Sequence, residues 1–413
     1  MNVNIVRIHA HIDALANFTA TPGAGSTRLS FSSEYRAACD YLINVAESSG
    51  LSARFDAIGN LRIRLDGAQS NLPVVVVGSH IDTVIHGGNF DGILGVVSGL
   101  EILSTLVEEN IQPIHPIEVV NFVEEEGTTF RCPLTGSKAL TGQLDEDALK
   151  TLKDDDGRTF HEAAIAFGLD PSRLDEDRFY KDTIKSMLEL HIEQGAVLES
   201  LGIPVGIVND IAGSENYRIR LYGRANHAGT TPMSLRFDSL ACAAECITLI
   251  ERIARDPKRT NTVATVGRIS CLPNAVNVIP ASVEFSIDVR DTSEDRIEDA
   301  SKEILHGIEA IAHQRNIRFE WELTAKSTPK PMSPSMVAEL TVLSETAGIA
   351  SHIMTSGALH DAAMMSDIAP TAMIFVPSKD GRSHTPKEST RYEDIEHGAN
   401  LLLAAVLQQA GSN

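Results

Sequence analysis

Lysine and arginine are scarce in this sequence. They number 35 against 56 Asp plus Glu, for a formal net charge of −21, and no run of them forms a basic face. Phosphate binding needs such a face, so a nucleic-acid partner is excluded. Long apolar runs are missing too: Pro73 to Val77 and Ile93 to Leu103 fall far short of the ~20 residues of a membrane helix. The first residues meet His9, His11 and Asp13 before any signal-peptide core forms. Cysteines are few and odd in number (Cys39, Cys132, Cys242, Cys246, Cys271), with no CxxC pair, so neither a disulfide framework nor a cysteine zinc site is signalled and a cytoplasmic location is expected. No repeat or low-complexity tract is present. Several catalytic devices are also missing: there is no GxSxG elbow, no GxxxxGK[ST] loop and no HExxH helix, and Gly23-Ala24-Gly25 does not complete a GxGxxG.

What remains is a globular composition, 43% hydrophobic with 29 Gly and 17 Pro, long enough for two or three domains of about 150 residues. Helical spacing runs from Ser32 to Glu47, and Asn60 to Leu65 alternates as a strand. The β-branched run Pro73 to Gly78 reads as a strand buried on both faces, followed by a helix from about Gly92 to Glu109 and a second buried strand, Ile117 to Val123. That order predicts a right-handed crossover in a largely parallel sheet, with ligands bound where the strands end. The segment from Asp145 to Asp182 reads as surface helices and loops. Further on, Tyr217 to Tyr222, Asp238 to Ala254, Thr262 to Ile269, Val283 to Val289, Glu294 to His313 and Ile317 to Leu323 give the order βαββαβ, a ferredoxin-like arrangement. Met336 to Ala347, Ala372 to Val376 and Asp394 to Gln409 then resume helix, buried strand and helix. The expected architecture is therefore α/β: a mostly parallel mixed sheet sandwiched by helices, formed by residues 1–211 and 327–413, with an inserted ferredoxin-like domain at 212–326.

Four clusters carry chemistry. In Gly78-Ser79-His80-Ile81-Asp82, a strand-ending His80 can ligate a metal while a nearby carboxylate orients its ring. Asp91 follows at a helix start, where it either bridges two cations or simply caps the helix. In Glu124-Glu125-Glu126, the three carboxylates either form a solvated turn or divide labour, one binding metal while its neighbour is general base for a metal-bound water. Strand alternation puts Glu189, His191 and Glu193 on one face, a metal-binding side or a solvent side. His384, in Ser383-His384-Thr385-Pro386, lies beyond the last buried strand. As a set, His80, Asp91, Glu126, His191 and His384 offer imidazole and carboxylate at several strand ends, which suits zinc or manganese with a bridging carboxylate. The chemistry indicated is metal-assisted hydrolysis.

These motifs, with Thr27-Arg28-Leu29, GSHIDTV from Gly78, GGNFDG from Gly87, EEEGTTF from Glu124, GSKALTG from Gly136, HIEQG from His191, NHAGTTPM from Asn226, PNAVNVIP from Pro273, IDVRD from Ile287, HDA from His360 and SHTP from Ser383, span nearly the whole chain. The sequence resembles the amidase, hydantoinase/carbamoylase family of binuclear metal hydrolases, relatives of carboxypeptidase G and the aminoacylases. The resemblance implies one metal on His80 and His191 and another on Glu126 and His384, bridged by Asp91. It makes Glu125 the general base and proton shuttle, with Asp82 supporting the site. It assigns substrate contacts to Gln194, His227, Asn277, Arg290, Gly357 and Ala358, with His227 also stabilising the oxyanion and, in homodimers, His227 and Asn277 reaching the neighbouring subunit's site. The implied cofactors are two divalent ions, zinc or manganese, with cobalt or nickel as substitutes.

One position departs from the family pattern. Relatives have glycine where this chain has Leu359, in Ser356-Gly357-Ala358-Leu359-His360-Asp361-Ala362, which removes backbone freedom and adds bulk. The expected activity is hydrolysis of the carbamoyl C–N bond of N-carbamoyl-L-amino acids, small ureido substrates bearing a carboxylate. Allantoate is the nearest rival substrate, and N-acyl amino acids or peptides come third. A non-catalytic assembly protein that dimerises through residues 212–326 is the reading from a different class, disfavoured by the presence of Glu125 and every ligand.

Overall fold

The computed structural model describes residues 1–411. They form two compact units, one of residues 1–209 with the stretch from Pro331 onward, the other of Asp210–Lys330.

The first unit is built on a mixed sheet. Its central strands, Ile117–Phe122, Val74–His80, Ile184–Ile192 and Thr371–Val376, are adjacent and parallel. Leu61–Leu65 and Ser52–Phe55 extend one side and Val205–Ile211 the other, all antiparallel. Every residue of Val74–His80, Ile117–Phe122 and Thr371–Val376 is buried, as near-continuous apolar strands covered on both faces should be. Helix Ile93–Glu108 supplies the crossover from Val74–His80 to Ile117–Phe122 and buries its first fourteen residues. The four parallel strands run the same way, so their carboxyl ends meet at one edge.

A buried cation fixes that edge. Arg28 is fully buried; its Nε donates to the carbonyl of Ile81 at 2.7 Å and its Nη1 to those of Leu15 and Phe18. Its own backbone exchanges hydrogen bonds with Thr83. The loop after His80 is thereby tied to the N-terminal helix Ile5–Ala16.

The stretch from Asp145 to Asp182 is not merely superficial. Phe160 is fully buried, stacked edge-on against Phe31 and Phe130 at centroid distances of 4.9 and 5.1 Å. Leu149, Ala163, Ala164 and Leu174 join the same core. The charged residues around them mask short amphipathic turns in which only one side chain in three or four points inward.

The second unit is an antiparallel sheet in the order Ile269–Leu272, Ser282–Asp291, Gly213–Tyr222, Arg318–Ser327, the ferredoxin-like order. Strict alternation of burial in Gly213–Tyr222 and Ser282–Asp291 leaves one face for helices Ser239–Ala254 and Glu294–Gln314. The expected strand from Thr262 to Ile269 is two strands, Val263–Thr265 and Ile269–Leu272, both paired to Ser282–Asp291. Between them the register slips by one residue, from Thr265 opposite Asp288 to Ile269 opposite Phe285, a bulge in which Arg268 donates its N–H to the Ser286 hydroxyl while its carbonyl accepts the Ser286 N–H. No helix among the described residues is long and apolar enough to cross a membrane.

Candidate active site

His80 ends its strand, and His191 lies one residue before the end of the adjacent Ile184–Ile192. Asp91 enters between them from the start of the crossover helix. Gly92 makes this approach possible: its φ is +69°, and a Cβ there would sit 2.3 Å from His80 Nε2. The cap position belongs to Gly92, with no side-chain cap bond, so Asp91 does not cap the helix and its carboxylate turns to the histidines.

The two oxygens of Asp91 face different partners. Oδ1 lies 3.1 Å from His191 Nε2 and 3.8 Å from His80 Nε2, while Oδ2 lies 3.1 Å from His384 Nε2. Glu126 Oε1 is in turn 3.3 Å from His384 Nε2. Two donor sets result, His80–Asp91–His191 and Asp91–Glu126–His384, each with its ligand atoms within 4.8 Å of one another, and Asp91 belongs to both. Imidazole and carboxylate without thiolate are donors that zinc and manganese accept.

The electrostatics fit cations as well. Burial pushes the Asp82 and Glu125 carboxyls well above the usual carboxylate range, and their acidic neighbours push them further. Glu126 rises to about 7 through burial and the nearby Asp91. Burial drives His80 down to about 4, against a partial pull from Asp91. Burial is the largest single influence on His191 and opposes its proton, but the hydrogen bond to Asp91, the charges of Asp91 and Glu189 and the Ile192 carbonyl together outweigh it and carry the ring to about 9. His384, bonded to the same carboxylate, is also raised to about 9, while Asp91, despite its burial, is held well below the usual range by His191 and His384. Asp82, Glu125 and Glu126 resist ionising, and His191 and His384 hold protons beside Asp91; divalent ions would supply the positive charge that balances this acidic cluster.

The three consecutive glutamates make different contacts. Glu124, at φ +59°, accepts the N–H groups of Thr129 and Phe130 and closes the turn. Glu125 faces the site, its Oε2 3.6 Å from His80 Nε2. Asp82 takes a different part from the ring-orienting carboxylate expected from spacing: His80 Nδ1 meets the Asp82 main-chain carbonyl at 3.0 Å and its Oδ1 only at 3.8 Å. The Asp82 carboxylate instead accepts the backbone N–H groups of Glu125 and Glu126. Gln194 and His384 share the left-handed conformation of Glu124, with φ of +57° and +56°. Such backbone is strained for residues with a Cβ and persists only where surroundings hold it.

Of the three acidic and basic residues on one face of Ile184–Ile192 and just beyond it, only His191 reaches the donor sets. Glu189 is buried, accepting the Ser79 hydroxyl and the Ala362 N–H at 3.0 Å each. Glu193 caps the next short helix by accepting the N–H groups of Val197 and Leu198. Glu189, His191 and His360 form a further set within 4.8 Å, and the His360 ring packs edge-on against His191 at 4.5 Å between centroids. With both Glu189 oxygens engaged, this layer supports His191 from behind. Strand alternation puts Glu189 on the face of His191, but as a metal-binding or solvent side rather than a buried support, and nothing in the sequence singles out Ser79.

Gln194 donates from Nε2 to Asp91 Oδ2 at 2.8 Å, on the rim of the donor sets. The loop with Gly357 and Ala358 is folded around Ser356, whose hydroxyl contacts the Ala358 carbonyl and His360 Nε2, and Leu359 is half-buried. In the second unit a two-residue ladder pairs His227 with Val278, and Asn277 accepts the Ala228 N–H, so His227 and Asn277 stand together, both exposed. Arg290 grips Asp288 through Nε and Nη2 at 2.8 and 3.0 Å. Both line a cleft of about 520 Å³ shared with Arg218 and Arg268.

Comparison with known proteins places these features in context. Residues 76–408 match peptidase family M20/M25/M40. An N-carbamoyl-L-amino acid amidohydrolase of Geobacillus stearothermophilus is 41% identical over 404 residues, 98% of each chain. An allantoate amidohydrolase of Escherichia coli (strain K12) is 38% identical over 401 residues, 96% of each. The crystal structure of an amidase of the hydantoinase/carbamoylase family from Burkholderia multivorans superposes with a TM-score of 0.92 at 33% identity, covering 99% of this chain and 98% of that one.

Proposed function

The chain belongs to peptidase family M20/M25/M40 and to the hydantoinase/carbamoylase amidases, and from that premise we propose that it is a metal-dependent amidohydrolase cleaving the carbamoyl C–N bond of N-carbamoyl-L-amino acids. The observation that carries the proposal is Asp91, one carboxylate shared by two donor sets with Glu125 beside them. His80 and His191 would hold one divalent ion and Glu126 and His384 the other, zinc or manganese, with Asp91 between. Bound there, the ions supply Lewis acidity and lower the pKa of water.

Glu125 is the proposed proton carrier. Its carboxylate, 3.6 Å from His80 Nε2 at the edge of the donor sets, would take a proton from the attacking water and return it to the departing nitrogen. Asp82 holds Glu125 in place through the backbone. The substrate carboxylate pairs with Arg290 in a two-point contact, His227 donates to the oxyanion, and Asn277, Gln194, Gly357 and Ala358 complete the substrate contacts. Residues 212–326 serve as lid and homodimer contact, a reading supported by the exposed Met233, Leu235, Leu272 and Val276. The enzyme works in the cytoplasm, where its five cysteines, all free, stay reduced.

Ammonia release from N-carbamoyl-L-amino acids, their D-forms, β-ureidopropionate and allantoate, by metal-free protein and after adding manganese or zinc, tests this reading. Metal-restored turnover of an N-carbamoyl-L-amino acid supports it; turnover of allantoate alone transfers the chain to the second reading, which the 38% identical relative favours. No turnover of any of them refutes the carbamoylase assignment and points to acyl or peptide substrates.

A further inference from the structure

Glu388 lies four residues after His384 and is 7% exposed. Its Oε1 accepts the backbone N–H groups of Phe90 and Asp91 at 2.8 and 3.1 Å, nearly 300 residues away in sequence. Its Oε2 is 3.0 Å from the Ser383 hydroxyl, and that hydroxyl is 2.5 Å from Asp91 Oδ2. Asp91 is therefore held twice from the same loop, at its backbone by Glu388 and at its carboxylate by Ser383. The approach is close: a Cβ on Gly88 would fall 2.1 Å from the Glu388 carboxyl, so only glycine lets the 88–91 segment pass. Burying a carboxylate beside the acidic Asp91 is electrostatically costly, and a residue needed only to fill space there would not carry charge. Charge-assisted acceptance of two N–H groups is what the carboxylate adds.

We infer that Glu388 is a positioning residue that couples the Asp91 loop to the His384 loop and thereby sets the distance between the two donor sets. The inference rests on the proposed two-ion centre, since its consequence is the spacing of that centre. It also accounts for the left-handed backbone of His384, which a loop anchored only at the strand end would relax.

The test uses the whole chain with Glu388→Ala and Glu388→Gln, and Glu101→Ala as a control that loosens the N-terminal helix, whose Asn4 and Arg7 bind Glu101. Amide hydrogen exchange at Phe90 and Asp91, read on metal-free protein, should show protection lost in Glu388→Ala and kept in the control. Affinity for manganese and cobalt, measured by chelator competition, should fall about 10–100-fold in Glu388→Ala. The cobalt absorption spectrum should change with it. Glu388→Gln keeps one acceptor oxygen for the two N–H groups and should recover most of the affinity. In kinetics, kcat should fall with KM little changed. Metal affinities and a cobalt spectrum in Glu388→Ala equal to wild type, or equally reduced in the control, would overturn the inference. Neither readout involves substrate, so a wrong substrate assignment would leave this result standing and separable.

Discussion

The carboxylate of Asp82 accepts the backbone N–H of Glu125 at 3.3 Å, and its second oxygen takes the N–H of Glu126 at 3.2 Å. The loop carrying the proposed base and one proposed ligand thus hangs on a residue two positions after His80. Asn at this position keeps the shape but sets an NH2 against one of the two N–H groups. Asp82→Asn should lower kcat about 10²-fold, the scale of a small misplacement of catalytic groups, with KM within a few-fold. Steady-state kinetics at saturating manganese check this.

Metal uptake should depend on pH in a defined direction. In the metal-free protein His191 and His384 hold protons up to about 9, chiefly because of their bonds to Asp91. Ions and protons compete for the same nitrogens, so affinity should rise as pH rises from 6 to 9 and binding at pH 7.5 should release at least two protons, those of the two histidines, with more from the raised carboxyls beside them. Calorimetry in buffers of different ionisation enthalpy counts them. Buffer-independent heats would contradict the protonated histidines.

Arg28 should be among the least replaceable residues outside the donor sets. Its burial lowers its pKa to about 10, still charged at neutral pH, and its guanidinium serves the carbonyls of Leu15, Phe18 and Ile81 together. Arg28→Met leaves these acceptors buried and unpaired, at a cost of about 3 kcal/mol or more. Arg28→Lys, lacking the fork, should recover only part of this. Urea denaturation of the two variants gives the comparison.

The ring of His227 should favour one tautomer. Its Nδ1 accepts the N–H groups of Gly229 and Thr230 at 3.0 and 3.3 Å, which leaves the proton on Nε2, ready to donate. Arg236 holds that turn through the carbonyls of Ala228 and Thr231. Nitrogen-15 shifts of the histidine rings should show an Nε2–H signature for His227 that mixes with the other tautomer in Arg236→Ala. An Nδ1–H ring in the wild type would contradict the oxyanion role.

Much of the fold and of the site is legible in the sequence. The run of valines from Val74 to Val77 reads as a buried strand, and the motifs put His80, Glu126, His191 and His384 at or just beyond strand ends and Asp91 at a helix start, residues that the fold brings near one another. What sequence hides is contact between distant segments. Nothing in the spacing shows that Glu189 meets Ser79, that Asp82 turns its carboxylate to the 125–126 backbone rather than to His80, or that Phe160 reaches Phe31 from a charged stretch. Periodicity likewise could not split Val263–Thr265 from Ile269–Leu272, because the break is a one-residue slip in register against Ser282–Asp291.

The most direct measurement is turnover of an N-carbamoyl-L-amino acid by Glu125→Gln, with bound metal quantified in the same sample. The substitution keeps shape and removes the proton acceptor. The account predicts wild-type metal content and a kcat lower by about 10²–10⁴-fold, the range for losing a general base. Unchanged turnover with both ions bound would contradict it.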